Sequence, residues 1–116
     1  MMQYQWGIFQ ANLNPSKGSE QAGIRPVLVV SSEGINQVLP IVTILSVTSL
    51  KPGRKVYPTE VLLDSESSGL KKDSLAMAHQ IRAISKERIG ERIGGIGSDE
   101  QKDKIRAAMK VYLDLF

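Results

Sequence analysis

The sequence predicts a small antiparallel β-barrel closed by a C-terminal α-helix, and three observations carry that reading. Turn residues (Gly, Pro, Asn, Asp) recur about every 8 to 15 residues across the first two-thirds of the chain, the spacing of a small all-β fold. The segments between them are rich in β-branched residues. After Ser98 the apolar period changes to that of a helix.

Trp6 to Leu13 reads as the first strand, stopped by Asn14-Pro15, and residues 14–24 as a long loop carrying Pro15, Gly18 and Gly23. The second strand runs from about Pro26 to Ser31, where a leading proline forfeits only one ladder donor. Ser32 to Leu39 has room for one helical turn. Pro40 to Thr48, PIVTILSVT, is almost continuously apolar and suits a strand buried on both faces. KPGRK at 51–55 is a basic turn. Tyr57, Thr59, Val61 and Leu63 alternate with their neighbours as in a half-buried strand. Asp64 to Lys72 reads as a polar turn containing Gly69, followed by short strands at Asp73–Ala78 and Gln80–Ile84.

Gly90-Glu91-Arg92-Ile93-Gly94-Gly95 lacks the spacing and context of a dinucleotide fingerprint and reads as loop. Ser98-Asp99-Glu100-Gln101 fits a capping box, with acids in the first turn facing the helix dipole. Ile105, Met109, Tyr112, Leu113 and Phe116 then follow a helical period, which suits a helix that covers the core and leaves open one that covers a barrel mouth or enters a dimer. Residues 1–116 are one domain on this reading.

An apolar fraction of 41% in 116 residues is enough for one core without metal or disulfide staples. The chain has no cysteine, which excludes thiolate chemistry and fits a reducing compartment. Residues 1–13 carry no basic n-region and no apolar h-region, and no run approaches the roughly 20 apolar residues of a membrane span. A soluble cytoplasmic protein with no membrane association is therefore expected. The balance of 15 Lys+Arg against 12 Asp+Glu favours an anionic partner. One histidine and no cysteine leave no ordinary zinc site, and neither an EF-hand nor a P-loop nor a nucleophile elbow is present. No metal and no cofactor is expected.

One stretch is more specific. Leu13-Asn14-Pro15-Ser16-Lys17-Gly18-Ser19-Glu20-Gln21-Ala22-Gly23-Ile24-Arg25-Pro26, with the aliphatic run Val27 to Val30, resembles the N-terminal signature of the MazF/PemK toxin family. Val47-Thr48-Ser49, Tyr57-Pro58-Thr59-Glu60-Val61, Gly69 to Ser74 and His79-Gln80-Ile81-Arg82-Ala83-Ile84 match in order as well. The resemblance implies an SH3-like barrel of the PemK/CcdB type acting as a homodimer. It implies a metal-independent endoribonuclease that cleaves single-stranded mRNA at short sequences. It also implies a cognate MazE-like antitoxin whose acidic segment blocks the RNA groove.

Carried over by position, Arg25 and Thr48 are the catalytic pair, Ser19 and Glu20 lie in a mobile loop beside the groove, and Gln80 faces the same groove. Two departures stand out. Gln5-Trp6-Gly7-Ile8 replaces the Arg-Gly-Asp or Arg-Gly-Glu with which the family commonly begins its first strand. Met77-Ala78-His79 replaces the Arg-x-Asp of the PemK branch, which favours the MazF-like use of Arg25 and Thr48.

Metal-free RNA cleavage needs the 2′-hydroxyl to attack the adjacent phosphorus, a base to take its proton, an acid for the leaving 5′-oxygen and a group to stabilise the dianionic transition state. The guanidinium fork of Arg25 suits the last role, and the Thr48 hydroxyl can add a donor. Arginine stays protonated and is a poor base by ordinary reasoning. The general base is therefore open between Glu20, His79 and the arginine itself. Lys51 and Arg54, with Lys55, form a basic turn that can steer RNA. Trp6 reads as core more readily than as a base-stacking platform. Two rival functions remain at this point: a CcdB-like toxin that inhibits DNA gyrase, and a barrel that binds RNA without cutting it.

Overall fold

The computed structural model describes residues 2–116. Six strands form one antiparallel sheet: β1 (Gly7–Asn12), β2 (Ile24–Val29), β3 (Ile41–Ser49), β4 (Glu60–Leu63), β5 (Ser74–Ser85) and β6 (Ile89–Gly95). Three helices punctuate it: α1 (Glu33–Asn36), α2 (Ser65–Ser68) and α3 (Asp99–Leu113). The spatial order is β4-β5-β3-β2-β1-β6. The mainly β fold with a C-terminal helix is as expected, but the hydrogen-bonded sheet is not closed, because β4 and β6 remain its two edges among the described residues. The gap between those edges is approached by α2 and its following turn rather than bridged by a ladder. A Cβ built on Gly94 of β6 would stand 2.3 Å from the Ser68 carbonyl oxygen.

Strand alternation divides the buried residues into two clusters. Ile8, Leu28, Leu45, Val47, Ala76 and Ala78 share one, which Ile105 and Ala108 of α3 complete. Phe9, Ala11, Val27, Val29, Val42 and Ile44 belong to the other. Successive side chains of β2 and β3 thus enter different clusters, the period-2 pattern of strands covered on both sides.

Four local expectations are corrected. The Gly90–Gly95 stretch is a strand, not a loop, paired with β1 through two register irregularities. Its glycines mark close approaches that side chains would obstruct: a Cβ on Gly90 would lie 3.1 Å from the Gln10 carbonyl oxygen. The predicted strand over 57–63 shortens to Glu60–Leu63, because the Glu60 N–H donates to the Tyr57 carbonyl at 2.9 Å and closes a turn. Asp64 to Gly69 holds α2 within the predicted turn. Asp64 accepts from the Ser67 N–H at 2.9 Å as N-cap, and Gly69 ends the helix in the left-handed region at φ 81°. The two short strands near Asp73–Ala78 and Gln80–Ile84 are one continuous β5, with a register irregularity against β3 between Ile44 and Ser46.

Ser98 caps α3 as predicted, its hydroxyl accepting from the Gln101 N–H at 3.1 Å. The Gln101 side chain does not reach back to Ser98; it donates to the Leu62 carbonyl and ties α3 to β4. Only the first half of the predicted apolar stripe covers the core. Ile105 is fully buried and Met109 packs at the margin, whereas Tyr112, Leu113 and Phe116 are exposed. Trp6 sits at the core's edge with the cations of Lys102 and Arg106 over its ring, at 5.6 and 5.1 Å. That is the core reading of Trp6, with its face already occupied. No helix among the described residues is long and apolar enough to cross a membrane.

Because the Ser68 carbonyl is backbone and cannot rotate away, Gly94→Ala must move α2 relative to β6. A loss of about 1–3 kcal/mol is expected from overpacking. It will be read as a lower urea midpoint with unchanged m-value.

Candidate functional site

The register of β2 determines what stands beside Arg25. Val27, Leu28 and Val29 pair with Ser46, Leu45 and Ile44. Continuing that antiparallel count past Val27 sets Arg25 opposite Thr48, where the two strands splay. On its other side Arg25 pairs with Ala11 of β1, and Thr48 pairs with Leu75 of β5. Two residues far apart in sequence therefore meet at one end of the sheet.

They meet in a groove of about 690 Å³ crossed by the ends of β2 and β3, the α2–β5 turn and β6. Five of its lining residues are cations (Arg25, Lys51, Lys71, Lys72, Arg92) against one acid, Glu91, so the groove holds a positive field for an anionic chain. Arg25 is exposed, and its Nε donates to the Ala22 carbonyl at 3.1 Å. That bond orients the guanidinium and leaves both terminal nitrogens without a protein partner among the described residues. The half-buried Thr48 lines the same groove.

The loop between β1 and β2 carries hydrogen bonds of its own and one latch to β5. The Leu13 N–H donates to the Gly23 carbonyl at 2.9 Å, and the Ser16 hydroxyl lies between the Leu13 and Gln21 carbonyls, at 2.6 and 2.8 Å, sharing its one proton with them. Gln80 of β5 grips its tip: Nε2 donates to the Ser19 carbonyl at 3.1 Å, and Oε1 accepts from the Gln21 N–H at 3.4 Å. Gln80 thus spends its amide on the loop. Glu20 turns back on that loop, accepting from the Lys17 N–H at 2.8 Å.

Of the residues singled out by sequence, Arg25, Thr48 and Lys51 come together on the groove lining. Ser19, Glu20 and Gln80 form the adjoining loop latch. His79 is elsewhere: its Nδ1 is 2.9 Å from the Thr59 hydroxyl and its ring stands edge-on to Tyr112. Arg54 is also spent. Its fork meets both Glu60 carboxylate oxygens, Nη1 to Oε1 at 2.9 Å and Nη2 to Oε2 at 2.7 Å. The Glu60 side chain is fully buried. Burial pushes its pKa up, but the Arg54 fork and the Tyr57 N–H outweigh burial and hold it below the usual carboxylate range. This pair clamps the 51–57 turn, whose other bond is Arg54 N–H to the Lys51 carbonyl at 3.1 Å, and so steadies Lys51 at the groove.

Sequence reasoning missed Lys71, Lys72 and Arg92. The lysine doublet after Gly69 was a usable signal, since a αL helix end followed by two cations presents both at a surface. Arg92 was hidden by the glycines around it, which disguise β6.

Residues 4–113 match the family described as PemK-like, MazF-like toxin of type II toxin-antitoxin system. The chain is 35% identical over 108 residues to Endoribonuclease EndoA of Bacillus subtilis (strain 168), covering 93% of this chain and 91% of that protein. It is 38% identical over 114 residues to Endoribonuclease MazF9 of Mycobacterium tuberculosis, covering 94% of each. The crystal structure of MazE-MazF (Form-II) from Deinococcus radiodurans is similar at a TM-score of 0.72 and 26% identity, over 96% of this chain and 95% of that one.

The Glu60 clamp has a definite pH signature. A carboxylate held low in the folded state stabilises fully above its unfolded value of about 4.3, and the contribution is lost as pH falls through the lower folded value. Urea midpoints measured from neutral to acid pH should therefore decline less steeply in Glu60→Gln than in the unsubstituted protein.

Proposed function

Since this chain belongs to the PemK-like, MazF-like toxins of type II toxin–antitoxin systems, we propose that it is a sequence-specific, metal-independent endoribonuclease that cuts single-stranded mRNA. The observation that carries the reading is the juxtaposition of Arg25 and Thr48 in a groove lined by five cations and one acid. The two relatives named as endoribonucleases, at 35% and 38% identity over nearly the whole chain, support it. The gyrase-directed alternative finds no support among them.

Arg25 donates its free terminal nitrogens to the phosphoryl oxygens and stabilises the charge that builds as the 2′-oxygen attacks phosphorus. Thr48 adds a neutral donor to the same phosphoryl group. The bond to the 5′-oxygen breaks and solvent water gives that oxygen its proton, leaving a 2′,3′-cyclic phosphate and a 5′-hydroxyl. For the proton of the 2′-hydroxyl, Glu20 is better placed than His79, and Arg25 stays protonated as an arginine does. Its loop touches Arg25 through the Ala22 carbonyl, whereas His79 is engaged with Thr59. Glu20 reaches the nucleophile once its bond to the Lys17 N–H is released.

A cognate MazE-like antitoxin, acidic enough to compete for the same cations, neutralises the enzyme; the MazE-MazF assembly of the Deinococcus relative supports this. The toxin acts in the cytoplasm as a homodimer. Ile35, Val38, Leu39 and Ile41 are exposed apolar side chains near one another along the chain, a surface suited to a second copy.

Purified protein incubated with long single-stranded RNA in EDTA should yield discrete fragments ending in 2′,3′-cyclic phosphate; intact RNA would refute the proposal. Arg25→Ala should lower the rate about a hundredfold or more with the fold unchanged. Glu20→Gln should slow cleavage about tenfold or more, while His79→Asn preserves the rate.

A further inference from the structure

We propose that Asn14 is a positioning residue for Arg25, acting through the Ala22–Gly23 peptide that lies between their side chains. The inference rests on the reading that Arg25 stabilises the transition state, and it concerns a residue outside the Arg25–Thr48 pair.

Both edges of one peptide plane are engaged. The Gly23 N–H donates to Asn14 Oδ1 at 3.0 Å, and the Ala22 carbonyl accepts from Arg25 Nε at 3.1 Å. In a trans peptide the carbonyl and the following N–H belong to one rigid plane and point in opposite directions. The side-chain oxygen of Asn14 therefore sets where the Ala22 oxygen stands, and the Ala22 oxygen sets the arginine.

Asn14 is itself held. Its N–H donates to Asn12 Oδ1 at 3.0 Å, and its carbonyl accepts from Arg88 Nη1. Gly23 supplies a further requirement. At φ 78° it turns its carbonyl to the Leu13 N–H, at 2.9 Å, while its own N–H stays on Asn14. A side chain there would strain that turn. The preceding residue is braced as well: the Gln21 N–H donates to Gln80 Oε1 at 3.4 Å, and the Gln21 carbonyl lies 2.8 Å from the Ser16 hydroxyl. The run from Gln21 to Gly23 is thus fixed just before the chain enters β2.

The consequence falls on the guanidinium. Its atoms are coplanar, so one bond at Nε sets the plane in which both terminal nitrogens lie. The Arg25 backbone is set by pairing with Ala11, so the residue is held at both ends. Arg25 is exposed on the groove lining, where packing alone leaves a long side chain many rotamers. Without the Asn14 oxygen, water satisfies the Gly23 N–H but does not fix the plane. The Ala22 oxygen then moves, and Arg25 meets the phosphoryl group from many orientations rather than one.

Two measurements on the same variants test this: cleavage kinetics on natural RNA, and exchange of the Arg25 Nε–H with water, followed by NMR of the free protein. Asn14 is exposed, so Asn14→Ala leaves the core intact, and it keeps both backbone bonds of residue 14. It should lower kcat about tenfold with KM unchanged, because the orientation of the arginine matters most in the transition state. It should also speed Nε–H exchange. Asn14→Asp, which keeps an acceptor oxygen in place, should recover most of kcat and slow the exchange again. In Arg25→Ala protein, adding Asn14→Ala should leave the residual rate unchanged. An Asn14→Ala protein that matches the unsubstituted one in kcat or in exchange would overturn the inference. A rise in KM at constant kcat would make Asn14 an RNA contact and overturn it too, as would an undiminished fall in rate in the Arg25→Ala background. If the unsubstituted protein cuts no RNA, the nuclease reading falls, and the exchange rates alone decide whether Asn14 holds Arg25.

Discussion

The antiparallel register that sets Val27 against Ser46 underlies the rest of the structure. It is over-determined because both faces of β2 and β3 are buried. Leu28 and Leu45 belong to the cluster under α3, while Val27, Val29 and Ile44 belong to the other. A one-residue slip would move every one of these side chains to the wrong side. The same register brings Arg25 level with Thr48. The packing that keeps the fold unique therefore also assembles the pair, and the site inherits the rigidity of the core although its own residues are polar and half-exposed.

Charge is distributed by the same logic. Three cations away from the groove are ion-paired: Arg54 with Glu60, Arg106 with Asp103, Lys104 with Glu100. The cations on the lining face none of these carboxylates. The exposed pairs contribute little to stability. Arg54–Glu60 differs because the carboxylate is fully buried, and removing either partner leaves a charge or a polar group without its compensation. Its worth to the site lies in holding the 51–57 turn, which places Lys51.

The glycine-poor centre and glycine-marked margin of the sheet have distinct roles. β3 and β5 hold the core through side-chain packing. β6 instead uses Gly90, Gly94 and Gly95 to let backbone atoms of β1 and α2 come close. That close approach sets the α2–β5 turn beside β6 on the lining of a groove where the sheet has no hydrogen bonds to close it.

Much was legible in the sequence, and for physical reasons. PIVTILSVT announces a strand buried on both faces, Ser98 to Gln101 announces a helix start, and the order of Arg25-Pro26, Thr48 and the Gly69 turn carries the family resemblance and with it the central pair. These are local signals, written in propensity, capping and spacing. What the tertiary structure decided is non-local. β6 looked like loop because its strand character comes from pairing with β1, not from its own residues. Arg54 looked free until a glutamate six residues on was found buried beneath it, and no linear pattern set the His79 ring against Thr59 and Tyr112. The sequence by itself determined the central strands and the capped start of the last helix, and its family resemblance named the residues expected to carry the chemistry. Only the folded chain decided which cations are consumed by partners and which are left for a ligand, because pairing depends on distances across the sheet that no linear pattern encodes.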